Sequence, residues 1–320
     1  MNDNYIIGVD IGGTKVRVGI LDPEGNLNVS KIIPTNPELG VENTINRIIL
    51  TTEELIKGQN LKSNNFSAVS IGVPGSVELD TGTVLLAPNI YWKNVPLGSI
   101  IREYFQLPTF IEQDTKIAAL GEFIKGAGKG SKNCIYITVS TGIGSGIIID
   151  GNLVRGSGGT AGEIGHMVLD PYGPQCTCGN RGCLQMLSSG PAIATKMKQA
   201  IRNGAFSIIE NLVPNIDEIK CEDVIKALKE GDNLALQILE ESTYYLGLGI
   251  SYVVSLLNPE VVILGGGVVQ GGDDLVINLV KNAVQKYSYP LAKECVNIVK
   301  SKLRENAVIV GTAFLPRQWK

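Results

Sequence analysis

The sequence has no hydrophobic run long enough to cross a membrane, which takes roughly 18 apolar residues. The nearest candidate, residues 244–257, is too short and contains Ser251 and Ser255, so we expect a buried core helix there. The N-terminus, MNDNYIIGVD, has neither the basic region nor the cleavage site of a secretory signal. These absences predict no membrane partner and a cytoplasmic location, where cysteines stay reduced.

Basic residues are not concentrated in any block. The 320 residues include 28 Lys and Arg against 31 Asp and Glu, for a net charge of −3. We therefore expect neither nucleic acid nor an anionic membrane as a partner. Histidine occurs once, whereas the 38 glycines gather in a few short loops instead of a flexible linker. That clustering is the first indication of a functional site.

Predicted strands and helices alternate along the chain. YIIGVDI and KVRVGIL are predicted strands around a Gly-Gly-Thr turn, followed by a helix over residues 41–57 that buries Val41, Ile45, Ile48, Ile49 and Leu55. The strands FSAVSIGVP and LPTFIEQD precede a helix over residues 115–124. CIYITVS, TGIGSG and IIIDGNLV repeat the N-terminal pattern, before a helix over residues 234–257 and the strand EVVILGGG. This order predicts two α/β lobes with a cleft between them, each lobe with a largely parallel sheet.

Three glycine-rich loops follow predicted strands, at residues 10–15, 140–146 and 265–267. Glycine lets the backbone approach a ligand, and successive N–H groups can surround an anion, although a plain hairpin turn also uses glycine. The first loop adds the hydroxyl of Thr14 and the charge of Lys15. GxxxxGK[ST] is absent, and no GxGxxG joins a strand to a helix. Together the loops indicate one extended phosphate-bearing ligand.

The only histidine and three of the six cysteines lie in one short segment. His166, Cys176, Cys178 and Cys183 form a donor set suited to a closed tetrahedral Zn²⁺ site, which leaves no position open for water or substrate. A redox dithiol is disfavoured because Cys-x-x-Cys is missing, and a chance cluster of thiols is the remaining alternative. The isolated cysteines are expected to be buried as small hydrophobes: Cys134, Cys221 and Cys295.

Several motifs occur together in one order: DIGGTK, GVPGSVELDTGTVLLAPNIYW, IEQDTKIAALGE, STGIGSG, GTAGEIGH and CTCGNRGCL. With them the chain resembles the ROK family of sugar kinases and repressors, over residues 5–314. The resemblance implies a two-lobed actin-like, ribonuclease H-like α/β fold with duplicated βββαβα lobes and a nucleotide and sugar cleft. The expected lobes are residues 1–117, completed by a C-terminal helix 305–320, and residues 118–304 with the zinc motif 166–183.

The resemblance also implies roles for individual residues. Asp114 would be the catalytic base, although an Asp before a helix is also a favoured N-cap. Asp10 would reach Mg²⁺ through water, with a strand-end turn as its structural alternative. ATP would be held by the glycine loops, at Asp10, Gly12, Gly13, Thr14, Lys15, Thr141, Gly142, Gly144, Gly265, Gly266 and Gly267. The sugar would be contacted by Gly75, Asn89, Gln113, Asp114, Glu163, His166 and Gln185, with His166 also bound to zinc.

Two residues depart from the family pattern. Gln113 stands where the family usually has Asn, and Gln185 stands where it usually has Glu, both at sugar-contacting positions. These changes leave the residues expected for kinase chemistry in place, but they leave open which sugar is the substrate. Lys116 is a third unusual polar residue, for which we expect a solvated position on the helix surface.

The function expected from the resemblance is ATP-dependent phosphorylation of a hexose, with glucose O6 as the acceptor. Kinases for N-acetylmannosamine, N-acetylglucosamine or fructose are the alternatives, and polyphosphate is an alternative donor. A sugar-responsive repressor is disfavoured because a predicted strand starts at Tyr5, leaving no room for a helix-turn-helix. The resemblance further implies a homodimer or higher homo-oligomer.

Overall fold

The computed structural model describes residues 4–319 and contains two compact units. The first unit takes in the described residues as far as Lys132, then Gly146–Gly162, and resumes at Lys302. The second consists of Asn133–Ser145 and Glu163–Ser301. The predicted boundary after residue 117 thus falls inside a helix of the first unit, and both units are discontinuous in sequence.

Thirteen strands lie in the described residues. They are β1 Tyr5–Ile11, β2 Lys15–Leu21, β3 Leu27–Pro34, β4 Phe66–Val73, β5 Ser76–Glu78, β6 Thr83–Ala87, β7 Trp92–Val95, β8 Thr109–Gln113, β9 Cys134–Val139, β10 Ile143–Ile149, β11 Asn152–Leu153, β12 Val261–Gly265 and β13 Asn297–Lys300. The two larger sheets have the orders β3-β2-β1-β4-β8 and β11-β10-β9-β12-β13, and β5-β6-β7 form a small antiparallel sheet.

The two larger sheets confirm the predicted duplication. In the first, β1, β4 and β8 are parallel, while β2 and β3 are antiparallel additions. In the second, β9, β12 and β13 are parallel. β1 and β9 are apolar along almost their whole length and buried, as strands covered on both faces require.

Eleven α-helices lie in the same part of the chain. They are α1 Val41–Gly58, α2 Leu97–Phe105, α3 Asp114–Lys125, α4 Leu184–Ser188, α5 Gly190–Arg202, α6 Ile209–Leu212, α7 Cys221–Lys229, α8 Asn233–Leu257, α9 Gly267–Tyr287, α10 Pro290–Cys295 and α11 Ala307–Thr312. The predicted C-terminal helix over residues 305–320 is reduced to α11 with 3₁₀ turns at Arg304–Asn306 and Leu315–Gln318, and residue 320 lies outside the described residues. α11 packs on α3 and β1 in the first unit.

The helical predictions are largely confirmed. α1 buries Ile45, Ile48, Ile49 and Leu55, whereas Val41 is half-buried at its first position. The apolar segment in α8 is a core helix with a broad buried face, and no helix of residues 4–319 is long and apolar enough to span a membrane.

The isolated cysteines behave as predicted in two of three cases. Cys134 and Cys221 are buried. The prediction for Cys295 is wrong, because this residue ends the short helix α10 and is exposed. A single apolar residue type without helical periodicity around it carries little information about burial.

Candidate functional site

The first unit brings polar residues to one edge of its sheet. Asp10 lies near the carboxyl end of β1 and pairs in register with Gly72 of β4, which pairs with Glu112 of β8. Because these three strands are parallel, their carboxyl ends meet at one edge. Gln113 ends β8 and is the N-cap of α3, whose first residue is Asp114, so the N-cap alternative for Asp114 is wrong by one position.

Asp10 is partly buried at this edge. Burial raises the pKa of its carboxyl from 3.8 to about 6, against the opposing effect of the Lys15 and Arg17 cations. Lys15 is exposed and forms a 3.7 Å ion pair with Glu305. The edge therefore holds a carboxylate whose charge is poorly solvated and would be stabilised by a bound cation.

The turn between β1 and β2 is fixed by hydrogen bonds. Gly12 N–H donates to the carbonyl of Lys15 (2.9 Å), and the Thr35 hydroxyl donates to the carbonyl of Gly12 (2.7 Å). The Thr35 N–H donates to the carbonyl of Thr14 (2.9 Å). Sequence reasoning missed Thr35, which is fully buried and lies 20 residues beyond the loop that it holds.

The same turn lies beside the predicted sugar residue Asn89. A Cβ on Gly13 would be 3.7 Å from the Cβ of Asn89. Asn89 is exposed in the 3₁₀ turn Pro88–Ile90 that follows β6. Gly75 has a packing reason of its own, because a Cβ there would overlap the carbonyl oxygen of Leu86. The predicted phosphate turn and Asn89 are thus neighbours within the first unit.

The second unit contains a cavity of about 400 Å³. The first residues of three helices line it: Gly190 of α5, Cys221 of α7 and Gly267 of α9. Helix N-termini carry partial positive charge and free N–H groups, which suit phosphate oxygens. Ser140 and Thr141, from the turn after β9, line the same space.

The rest of the lining suits a larger organic group. Ile219, Ile225 and Val268 supply apolar wall, and Lys198 and Lys220 supply two cations. Burial, and then Glu222 and Asp223, raise the pKa of the Cys221 thiol to about 12, so this thiol stays protonated. Sequence reasoning missed the α5 and α7 residues, since nothing in their local pattern marks them.

The predicted nucleotide residues of this unit are only partly brought together. Among the described residues, the lining includes Thr141 and Gly267 but not Gly142, Gly144, Gly265 or Gly266. Gly266 has a φ of 88°, and a Cβ there would overlap the carbonyl oxygen of Val139. This glycine lets β12 turn sharply into α9, which brings Gly267 to the cavity.

His166, Cys176, Cys178 and Cys183 form one cluster. Their donor atoms all lie within 4.8 Å of one another, with His166 Nδ1 3.7 Å from Cys176 Sγ and Cys178 Sγ 3.6 Å from Cys183 Sγ. A tetrahedral zinc with Zn–S bonds of about 2.3 Å separates its sulfurs by about 3.8 Å. Two contacts close the loop. The Cys176 N–H donates to the carbonyl of Asn180 (2.8 Å), and Val168 forms an antiparallel β-bridge with Cys183.

The thiols of this cluster differ in acidity. Although burial opposes ionisation, hydrogen bonds from Cys178, Gln185 and His166 lower the pKa of Cys176 to about 6. Burial, and then the neighbouring Cys178 and Cys176, raise the pKa of Cys183 to about 12. Several thiolates can coexist at these distances only beside a divalent cation, so the donor set fits Zn²⁺.

The predicted sugar residues Glu163 and Gln185 each contact a member of this cluster, and His166 belongs to it. Glu163 caps the 3₁₀ turn Ile164–His166, and its carbonyl accepts the His166 N–H at 3.1 Å. Gln185 donates its side-chain N–H to Cys176 Sγ at 3.4 Å, and its Oε1 lies 3.4 Å from the Cβ position of Gly142. Gln185 therefore lies between the cysteine cluster and the turn after β9.

The prediction for Lys116 is wrong. Its side chain is only 1% exposed and donates to the carbonyl of Gly159, with Glu112 3.9 Å away. Glu112, also 1% exposed, accepts a hydrogen bond from Arg155 at 2.7 Å. Lys116 lies on the inner face of the first turn of α3, which its polarity alone does not reveal.

Comparison with known proteins decides the family. The sequence matches the ROK family over residues 6–318. The chain belongs to the ROK family. It is 33% identical to a glucokinase of Halalkalibacterium halodurans, with 99% of this chain and 96% of the relative aligned.

Other ROK proteins show the range of functions in the family. The chain is 33% identical in sequence to a ROK glucokinase from Streptomyces griseus, whose structure holds glucose and AMPPNP; the TM-score is 0.84, over 98% of this chain and all of that one. It is also 32% identical to a xylose repressor of Caldicellulosiruptor bescii, covering 96% of this chain and 76% of the repressor. The actin-like ROK fold predicted from the sequence is therefore confirmed, and relatives include both kinases and repressors.

Proposed function

We propose that the chain is an ATP-dependent hexose kinase, with O6 of glucose as the preferred acceptor. The observation that carries the proposal is that two carboxylates lie at the same edge of one sheet: Asp10 near the carboxyl end of β1, and Asp114 directly after β8, with the parallel strand β4 between β1 and β8. Phosphoryl transfer needs a carboxylate near the acceptor and another near the metal-bound phosphates, whereas sugar sensing needs neither. The Streptomyces griseus relative with glucose and AMPPNP supports the same assignment.

In the proposed reaction, the oxygen of the sugar hydroxyl forms a bond to the γ-phosphorus, and Asp114 accepts the proton of that hydroxyl. The bond from the γ-phosphorus to the β,γ-bridging oxygen breaks, and ADP leaves with that electron pair. Asn89, Gln113 and Gly75 would orient the sugar. Glu163, His166 and Gln185 would bind further hydroxyls.

The nucleotide would be held by the three glycine-rich loops. Gly12, Gly13, Thr14 and Lys15 would bind the terminal phosphates, and Thr141, Gly142 and Gly144 the next ones. Gly265, Gly266 and Gly267, with the cavity at α5 and α7, would hold the nucleoside. Asp10 would bind the water shell of Mg²⁺, which neutralises phosphate charge when bound.

Zinc would be a structural ion bound by His166, Cys176, Cys178 and Cys183. Four protein ligands leave no site for substrate, so its role would be to hold His166 in one orientation. We propose the cytoplasm as the location, where ATP is available and cysteine ligands stay reduced. The expected homo-oligomer stays a prediction.

A panel of sugars tests the kinase proposal. Purified protein with Mg-ATP should release ADP in a glucose-dependent way, with lower rates for N-acetylmannosamine, N-acetylglucosamine and fructose. Polyphosphate in place of ATP tests the donor. Sugar binding without ADP release for any hexose or amino sugar would reject the kinase and favour a repressor-like sugar sensor.

We expect Asp10→Asn to give a more stable but inactive protein. The folded-state pKa of about 6 exceeds the ordinary 3.8, so the folded protein retains this proton to higher pH than the unfolded chain. Wild-type stability therefore falls, relative to the variant, as pH rises from about 4 to about 6; the full shift corresponds to about 3 kcal/mol. Urea unfolding of both proteins without ligands, at pH 4.5 and 7.5, should show about 2 kcal/mol of this change, because part of it has already occurred at pH 4.5.

The kinetic part of the Asp10→Asn prediction is a loss of at least about 100-fold in kcat/KM for Mg-ATP, since a cation-binding carboxylate is removed. Asp80→Asn, at an exposed aspartate of the same unit, is the control and should change neither property. Unchanged ATP turnover in Asp10→Asn would exclude this aspartate from the Mg²⁺ site.

We expect Gln113 and Gln185 to set the sugar preference. Gln113→Asn combined with Gln185→Glu should change the kcat/KM ratio of glucose to N-acetylmannosamine at least fivefold, about 1 kcal/mol, because a neutral amide becomes an anion that only accepts hydrogen bonds. The exposed Gln237→Glu, on α8, is the control. Identical sugar ratios in all three proteins would contradict a role in specificity.

A further inference from the structure

Lys116 is a buried cation two residues beyond the proposed base. Its side chain and that of Glu112 are each 1% exposed, and Arg155 is 19% exposed. One carboxylate thus faces two cations in the interior of the first unit. A buried ammonium loses much of its hydration, and methionine of similar length would fill the same space. Unlike methionine, lysine at this position forms the ion pair with Glu112 and donates a hydrogen bond to the carbonyl of Gly159.

Gly159 belongs to a glycine-rich loop, residues 156–162. Gly156, Gly159 and Gly162 have φ values of 72°, 71° and 94°. At the base of the loop, the Ala161 N–H donates to the carbonyl of Arg155 at 3.0 Å. Because glycine has the greatest backbone freedom, such a loop loses much conformational entropy when it is fixed.

Two side-chain contacts attach this loop to the strand and helix that carry Asp114. Arg155, at the base of the loop, donates to Glu112 of β8. Lys116 of α3 donates to Gly159 at the tip. Arg155 is itself held by the carbonyl of Gln318 (3.0 Å) and by the ring of Trp319 (4.7 Å to the centroid). The base of the loop therefore has several supports, whereas Lys116 provides the side-chain hydrogen bond at the tip.

We propose that Lys116 is a positioning residue for sugar binding, which fixes the glycine loop 156–162 against the helix that begins with Asp114. The proposal rests on the proposed function, because the loop leads directly into Glu163, a sugar contact there. Lys116 acts through the Gly159 carbonyl and the following backbone. The position of Asp114 is fixed by α3 itself. Loss of the Lys116–Gly159 hydrogen bond should therefore weaken sugar binding more than it slows the step in which Asp114 accepts a proton.

The test compares Lys116→Met with Lys125→Met, the same change at the half-buried far end of α3. Lys116→Met leaves Glu112 paired one-to-one with Arg155, so the protein should fold. We expect its KM for sugar to rise at least tenfold, with kcat within threefold and KM for ATP unchanged. Amide hydrogen exchange in residues 156–162 should accelerate at least tenfold. Lys125→Met should resemble the wild type in every measurement.

Lys116→Gln keeps an N–H donor without the charge, so its loop exchange and sugar KM should lie closer to the wild type. Equal behaviour of the Met and Gln variants, or unchanged exchange in the Met variant, would overturn the proposal. Faster exchange with an unchanged sugar KM would overturn it too. Hydrogen exchange needs no catalysis, so a wild-type protein without kinase activity would contradict the proposed function and not the attachment of the loop.

Discussion

Asp114→Asn is expected to lower kcat for sugar phosphorylation by at least about 10³-fold, while the protein folds normally and binds sugar with nearly wild-type affinity. The amide cannot accept the hydroxyl proton, and general-base assistance contributes roughly 10²–10⁴-fold. Asn preserves the shape of the side chain at the first position of α3. Initial rates of ADP release and calorimetric titration with the sugar measure the two properties.

The control for Asp114→Asn is Asp80→Asn, at an exposed position of the same unit. It should keep wild-type kcat and sugar affinity. If Asp114→Asn retained more than a tenth of wild-type kcat, another group would have to accept the proton. If it lost sugar binding altogether, Asp114 would be chiefly a binding residue.

Cys176→Ser is expected to abolish stoichiometric zinc binding and to destabilise the second unit. The wild type should contain about one zinc per chain, and the variant less than about 0.1, because a hydroxyl is a poor replacement for a thiolate ligand. We expect the free energy of unfolding to fall by at least about 2 kcal/mol, since metal binding stabilises the folded loop. The sugar KM should rise, as His166 loses the ion that orients it.

The matched control is Cys295→Ser, which changes an exposed cysteine outside the cluster. Zinc content and stability should be unchanged in it. Elemental analysis and thermal unfolding measure both variants. A wild-type protein that is free of metal, fully folded and active would refute the zinc site.

Sequence periodicity was sufficient to predict the duplicated strand pairs and the parallel strands of the two larger sheets, but not their strand orders or the small antiparallel sheet of β5, β6 and β7. The two strands around the Gly12–Gly13 turn have a counterpart in β9 and β10, which flank the turn after Val139. The two larger sheets have equivalent strand orders. Apolar strands and amphipathic helices are local signals, so a single sequence reveals them. The cysteine cluster was also predictable, because its four donors lie within 18 residues and metal chemistry restricts their spacing.

Features that depend on contacts distant in sequence were not predictable. Buried Lys116 donates a hydrogen bond to a carbonyl 43 residues away in the sequence. Thr35 holds the β1–β2 turn from beyond β3, and the N-termini of α5 and α7 meet only once the second unit is folded. Polarity suggested solvent exposure for Lys116, but inside the protein it is paired with Glu112 and with a backbone carbonyl that has no sequence signature.

The most direct test of the proposed function is ³¹P NMR of the product formed from ATP and glucose by the purified protein. We predict a new phosphate monoester resonance split into a triplet by the two protons at C6, together with equimolar ADP. This result would show transfer of the γ-phosphoryl group to O6. Inorganic phosphate as the sole new resonance, or no change in ATP with any hexose or amino sugar, would contradict the assignment as a sugar kinase.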